Sequence, residues 1–413
     1  MNPAIHLLVL TVFVDLIGFG IIIPLLPLYA RTFQAGPNTI ALLMATFSFF
    51  QFLFAPILGR WSDRIGRRPV LLLSLAGTVI GYIPLAIADQ FPLPSALLGG
   101  IPLGLGLLFL SRIIDGISGG NIATAQAYIA DITTPEDRVK GMGMIGAAFG
   151  LGFIFGPALG SWLVRYGFHW PAVAAGTLAA INWVWAWRAL PESRPAGAGP
   201  TERRSPLVAI AEAMRDPRLA GLITLVFVAT FAFAALETTF TLYLQNRLGV
   251  DPQQAAERSG WYFAYIGLVL AAIQGGVIRR LKGKDLEPWL VLGGTLCLAI
   301  GSFGIAMATS TTWLLVPLTF VGLGSGFVNP SLTSLISRRA HAAKMGETLG
   351  ASQGMSGLAR IIGPLVAGVV YGGTHNAWLS LNPSRPYILA GIVMSLAFLM
   401  ALRLPRERTA TPA

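Results

Sequence analysis

Five ionisable side chains stand inside long apolar runs. Asp15 interrupts LLVLTVFVDLIGFGIII, Arg112 and Asp115 lie in LLFLSRIIDGIS, Glu237 in FAALETTF and Arg360 in GLARIIGP. A charge at bilayer depth costs at least about 2.5 kcal/mol, so each needs a reason. The chemistry open to such groups is proton exchange. A cation beside a buried carboxylate holds it ionised, and a carboxylate left alone in apolar surroundings takes up a proton. A protein that alternately makes and breaks such a pair couples proton binding to its shape. Asp15 is the first candidate for that acid, followed by Asp115 and Glu237, with Arg112 as their cation. The alternative is a permanent structural ion pair of Arg112 with Asp15 or Asp115. Gly116, Gly119 and Gln126 share a helical face with Arg112 and Asp115, and that stripe is expected to face a central cavity. Arg360 either pairs with Glu237 or receives an anionic group.

Neutral hydrogen-bonding groups, Gln51, Asn121, Gln126, Gln274, Asn329 and Gln353, add to this candidate cavity. Phe47, Phe231, Phe240, Trp261 and Tyr265 could wall its apolar part, against the blander reading that membrane aromatics pack or face lipid. The four histidines lie at or near run ends. No His/Cys/Asp/Glu spacing fits a metal site and no phosphate-binding loop or nucleophile motif occurs. The expectation is therefore no metal, no cofactor other than protons as coupling ion, no enzyme and no ATP-driven pump.

The elements that must hold these residues are membrane helices. Hydrophobic residues make up 54% of the 413 and charged ones 11%, where a soluble domain carries roughly 25%. That excludes a soluble globular protein, a disulfide scaffold and a disordered chain. Apolar run lengths predict an all-α protein of twelve spans, near residues 6–30, 39–58, 69–88, 96–130, 139–164, 169–189, 217–246, 257–278, 287–308, 311–337, 345–372 and 385–404. The first run contains Asp15 and is too long for a signal-peptide core, so it reads as a retained helix. Twenty-two of the 29 basic residues fall at one end of this arrangement, beginning with Arg60, Arg64, Arg67 and Arg68. The bias places both termini in the cytoplasm of a cell (inner) membrane and accounts for the +11 charge without nucleic acid. The lone Cys297 reads as a packing residue.

The stretch around PESRPAGAGPTERRSP has linker composition. It divides the chain into residues 1–190, a cytoplasmic linker over 191–216, and residues 217–413. The halves echo each other: Gly156-Pro157 recurs as Gly363-Pro364 and Asn121 as Asn329, at offsets of 207 and 208. Two six-span repeats are a transporter signature, with the site near the midplane between them.

Four patterns carry a resemblance: DLIGFGIIIPLLP from Asp15, GRWSDRIGRRPVLL from Gly59 in the loop after span 2, RIIDGISGG from Arg112, and GFIFGPALGS from Gly152. The chain resembles the major facilitator superfamily, and within it the twelve-span drug:proton antiporters of tetracycline-efflux type. The resemblance implies two pseudo-symmetric six-helix bundles and a proton role for Arg112. It also implies a cytoplasmic latch of Gly59, Asp63, Arg64, Gly66, Arg67 and Asp131 that steadies the outward-open state. In the second half only a worn copy, residues 276–283, remains. Gly152, Gly156, Pro157 and Gly160 match the antiporter helix of the family, whose small, bendable face lets spans slide or rock. Two acids of the tetracycline exporters are missing. Gly81-Tyr82 stands where span 3 would carry one, and span 9 reads GGTLCLAIGSFG.

The expected activity is proton-coupled export of an amphipathic small molecule by a monomer in the lipid bilayer. Its alternatives are a metabolite facilitator or importer that uses charge pairs only for gating and, more remotely, a non-transporting receptor.

Overall fold

The structure is a computed structural model that describes residues 3–91, 101–133, 135–193, 206–278, 286–340, 345–372 and 382–404. Among these residues it is helical without strands. Eleven helices are long and apolar enough to cross a membrane. His169–Ala189, span 6, has the length at 21 residues, but four tryptophans and Asn182 dilute its hydropathy. Its Asn182 Nδ2 donates to the Thr11 carbonyl of span 1 at 2.9 Å.

Most predicted spans match a single helix: Pro37–Ile65 (span 2), Arg67–Ile87 (span 3), Pro135–Leu163 (span 5), Pro217–Leu248 (span 7), Glu287–Met307 (span 9), Leu315–Arg339 (span 10), Met345–Gly372 (span 11) and Arg385–Leu402 (span 12). Three are interrupted. Span 1 consists of Pro3–Ile22 and Leu26–Thr32 around a turn at residues 23–25, where Pro24 and Pro27 each lack an amide proton. Span 4 is Leu103–Ser118 and Asn121–Ile132, broken at Gly119-Gly120. Span 8 is Pro252–Ala272 and ends in a π turn, Ile273–Ile278. Backbone groups freed at membrane depth need protein partners. Gln51 supplies one, its Nε2 donating to the Gly119 carbonyl at 3.0 Å.

Two connections differ from the sequence reading. The arginine-rich motif does not form a loop after span 2. It continues that helix to Ile65, turns at Gly66 alone and starts span 3 at Arg67. The region 191–216 contains a helix, Pro206–Arg215, packed on spans 11 and 7. Residues 194–205 of that region, and 279–283 of the worn second motif, lie outside the described residues.

The packing repeats itself under a shift of six spans. Spans 1 and 5, 1 and 6, 2 and 4, 3 and 4, and 3 and 6 touch. So do 7 and 11, 7 and 12, 8 and 10, 9 and 10, and 9 and 12. Across the two sets, span 2 packs on span 11 and span 5 on span 8, a pair of contacts that the same shift exchanges. Those contacts are tight at the end away from the arginine-rich motif. A Cβ on Gly368 would lie 2.3 Å from Ala41, and one on Gly260 would lie 2.5 Å from the Pro157 carbonyl oxygen. Towards the basic end the contacts fade. Gly146 and Gly143 of span 5, Gly275 and Gly276 of span 8, and Gly350 and Gly346 of span 11 have nothing within 4 Å of such a Cβ. The halves therefore meet at the far end and part at the basic end.

Candidate functional site

The broken spans position the central acids. Asp15 stands on the first helix of span 1, and Asn121 opens the second helix of span 4 directly after the Gly119-Gly120 break. The Asn121 side chain holds itself in place by accepting from the Ile122 amide at 2.7 Å. Its Nδ2 donates to Asp15 Oδ2. Asp15 Oδ1 is buried and has no hydrogen-bond partner. No cation pairs with Asp15 among the described residues.

Arg112 and Asp115 pair with each other, at 3.4 Å, and are only 3% and 5% exposed. The stripe expected to face an open cavity is packed instead. A Cβ on Gly81 of span 3 would lie 3.4 Å from Asp115, and one on Gly116 would lie 2.6 Å from the Phe47 carbonyl of span 2. The Phe47 ring lies tilted against Phe19 of span 1, and the Arg112 guanidinium sits 5.9 Å from its centre. Arg112 Nε has no partner. An aspartate at position 81 would place a second carboxylate against Asp115, and glycine there avoids that repulsion. Gln126 lies beyond the break, where a straight-helix reckoning from Arg112 no longer applies.

Glu237 faces the first half from span 7. One turn further along, Thr241 donates to the Pro24 carbonyl of the broken span 1 at 2.7 Å, and Ser259 of span 8 reaches the same oxygen at 3.4 Å. Both hydroxyl residues are fully buried. One turn the other way, Phe233 meets Phe153 of span 5 edge-on. Glu237 thus lies just inside the far-end seal, on the basic side of it. Arg360 of span 11 is within electrostatic range of Glu237, but no ion pair forms between them. Gly357 of its helix packs on Phe52 of span 2 and Gly363 on Ala234 of span 7. Ile362, Leu365 and Val369 form the exposed apolar face on the other side. Arg360 projects between the two packed directions, toward the centre, and is exposed there with Gln353.

Other candidates lie elsewhere. Trp261 is half-exposed beside Leu268, about 200° around span 8 from Phe263, which packs on Phe240 of span 7. It belongs to the outer face. Phe231 and Phe240 are buried in helix packing, and Tyr265 bonds to Thr319 at 2.7 Å. Gln274 lies in the π turn, and Asn329 is exposed just before Pro330 of span 10.

At the basic end, Arg67 ties a dense cluster. It donates to Asp63 at 2.5 Å, to Ser62 at 2.7 Å and to Asp131 at 2.8 Å. Ser62 in turn donates to the Gly59 carbonyl at 2.8 Å. Glu192, at the end of span 6, accepts from the Arg67 and Arg68 amides at 2.9 and 3.1 Å. Gly66 meets two demands: a φ of 106°, and a carboxylate 2.4 Å from where a Cβ would stand. Arg64 is exposed and takes no part in the cluster. Glu192 and Ser62 are the members missed by the sequence reading. The signal was Pro-Glu closing span 6, which pattern alone does not connect to a motif 125 residues away. Among the described residues, these contacts join spans 2, 3, 4 and 6 at the end where the halves stand apart.

Along span 5, Gly152, Gly156 and Gly160 seat on span 1. A Cβ on Gly156 would lie 2.7 Å from Gly20 Cα, and one on Gly160 would lie 2.4 Å from the Ile21 carbonyl oxygen. Pro157 turns its carbonyl toward Gly260 of span 8.

Two repeated bundles, a polar centre in a helical membrane body and a seal at one end define a membrane transporter. The Major Facilitator Superfamily profile matches residues 8–364, and the chain belongs to that family. It is 31% identical over 408 residues to the class E tetracycline resistance protein of Escherichia coli, covering 95% of each. It is 28% identical to multidrug resistance protein 2 of Bacillus subtilis, over 94% of this chain and 92% of that one. The structure superposes on the human organic anion transporter MFSD10 (TETRAN) with a TM-score of 0.72 at 27% identity, covering 97% and 100%. The fold and the tetracycline-type resemblance read from the motifs hold, and a small-molecule substrate follows from the class.

Proposed function

We propose that this transporter exports amphipathic small molecules in exchange for protons, with Asp15 as the coupling acid. The observation that carries the reading is Asp15 itself: a carboxylate in mid-membrane with one oxygen held by Asn121 and the other without a partner. A carboxylate kept for structure would be neutralised by a cation, as Asp115 is by Arg112. Asp15 is instead free to exchange a proton. Asn121 ties its state to the break in span 4, so gain or loss of a proton alters a contact between two central helices. Glu237, beside the seal, is a second acid placed to feel the halves part. Relatives named for tetracycline and multidrug resistance support the drug-type substrate and the outward direction.

The arginine-rich end is cytoplasmic in this reading, as the distribution of basic residues requires. The chain then lies in a bacterial-type inner membrane with both termini inside and acts as a monomer, and its tight end faces outward in this reading. Protons are its only coupling partner, and no metal or organic cofactor is involved. Residues 1–190 and 217–413 are the two rocking bodies.

The test is substrate flux in proteoliposomes under an imposed pH gradient. Wild-type protein is expected to drive ethidium or a tetracycline against its gradient, and Asp15→Asn to retain only gradient-independent exchange. Wild-type coupling in Asp15→Asn removes Asp15 from the mechanism.

A further inference from the structure

We infer that Arg360 is the anchor for an anionic group on the substrate, so that the transported class includes organic anions and zwitterions carrying a carboxylate or sulfonate. The inference deepens the export reading and rests on it for the cavity's role in transport. Arg360 differs from Arg112, the other arginine at mid-span, and from the buried Arg67. Arg112 is buried against Asp115, and Arg67 is held by Asp63, Ser62 and Asp131. Arg360 is exposed at mid-span and makes no hydrogen bond or ion pair among the described residues. A guanidinium has five donors in a planar fork, suited to two oxygens of one anion.

Its position excludes the usual explanation for an exposed arginine on a membrane helix. The lipid face of span 11 is Ile362, Leu365 and Val369. Arg360 projects away from that face, into the wedge between Phe52 of span 2 and Ala234 of span 7. It cannot snorkel to a headgroup from there. Gly350 and Gly346, nearer the basic end of the same helix, face open space and Arg360 itself is exposed, so a ligand entering from that end reaches the guanidinium. Gln353 lies on the same face two turns nearer that entrance and is also exposed. Together they give a charged anchor with a polar approach, flanked by the Phe52 ring. Glu237 supplies the complement. It is near enough to balance Arg360 when no substrate is bound, and too far to occupy the donor fork. An incoming anion takes that fork, and Glu237 is left as the group a proton must then neutralise.

The experiment uses purified full-length protein and two fluorescent probes of similar size, anionic carboxyfluorescein and cationic ethidium. Binding is read by fluorescence anisotropy and transport in proteoliposomes. Carboxyfluorescein is expected to bind, with its affinity lowered at least tenfold by Arg360→Gln and less than threefold by Arg360→Lys. Ethidium binding is expected to be unchanged or strengthened by Arg360→Gln. Retained binding of one probe by each variant shows that the variant is folded. Carboxyfluorescein binding that is absent from wild type, or indifferent to Arg360→Gln, overturns the inference. If proton-driven ethidium export persists in that case, the export reading stands alone. If carboxyfluorescein binds through Arg360 but moves only down its own gradient, the anchor stands and proton coupling falls.

Discussion

The basic-end cluster and the central site both bury charge, and they treat it in opposite ways. Around Arg67, the guanidinium is held by two carboxylates and a hydroxyl and the backbone amides by a third carboxylate, on spans 2, 3, 4 and 6 among the described residues. At the centre, Asp15 has an empty oxygen and Glu237 a cation it does not reach, and Arg360 stands exposed with an unfilled fork. A buried charge that is fully paired fixes geometry, because removing either partner strands the other. A buried charge left open costs stability and gains exchange. The cluster was expected to steady one conformational state. Among the described residues, the contacts of Arg67 and of the Arg67 and Arg68 amides tie spans 2, 3, 4 and 6 together.

The largest effect that would sharpen this contrast is functional. Asp15→Asn is expected to lower gradient-driven flux by about a hundredfold or more while shifting unfolding free energy by less than about 0.5 kcal/mol, because no ion pair is lost. The reverse profile belongs to Arg67→Ala. Loss of a buried, ion-paired arginine is expected to cost about 3–5 kcal/mol, seen as early unfolding in denaturant. If Arg67→Ala keeps full stability and loses only transport, the cluster is a moving part and the contrast fails. Gly156→Val should cost about 1–3 kcal/mol by forcing span 5 off the Gly20 backbone, read in the same titration. Thr241→Val removes a hydrogen bond worth about 1 kcal/mol from the far-end seal. Far-end cysteine labelling is expected to rise about fivefold, and unchanged labelling would show that the Pro24 contact does not hold the seal. Smallest is Arg64→Ala, expected within about 0.5 kcal/mol of wild type since its side chain touches nothing in the cluster.

Much of this was legible beforehand. The limits of span 11 and span 6 coincide with the helices found, because apolar run length alone sets where a span can end. Gly66, Asp63 and Arg67 were readable from the density of the motif. The partners were harder. Asp15 and Arg112 were natural candidates for one pair, yet Asp15 took Asn121 and Arg112 took Asp115. The helical face drawn from Arg112 to Gln126 assumed a continuous helix, and the Gly119-Gly120 break rotates everything after it. Trp261 was a reasonable cavity aromatic by type, and only its helix's orientation put it outside.

The sequence by itself determined the solvent, the number of long helices, the basic end and the family, because each of these depends on composition or on residues close together in the chain. It also determined which charges are out of place, since a charge in an apolar run is costly wherever that run goes. Tertiary structure decided which of those charges is answered. Pairing depends on how separate helices are rotated and where they break, and residues such as Glu192 and Arg67, or Thr241 and Pro24, meet across more than a hundred positions. Nothing local to either partner encodes that meeting. It follows from helix packing, which left Asp15 and Arg360 without an ion pair among the described residues while it set Arg67 and Arg112 against carboxylates.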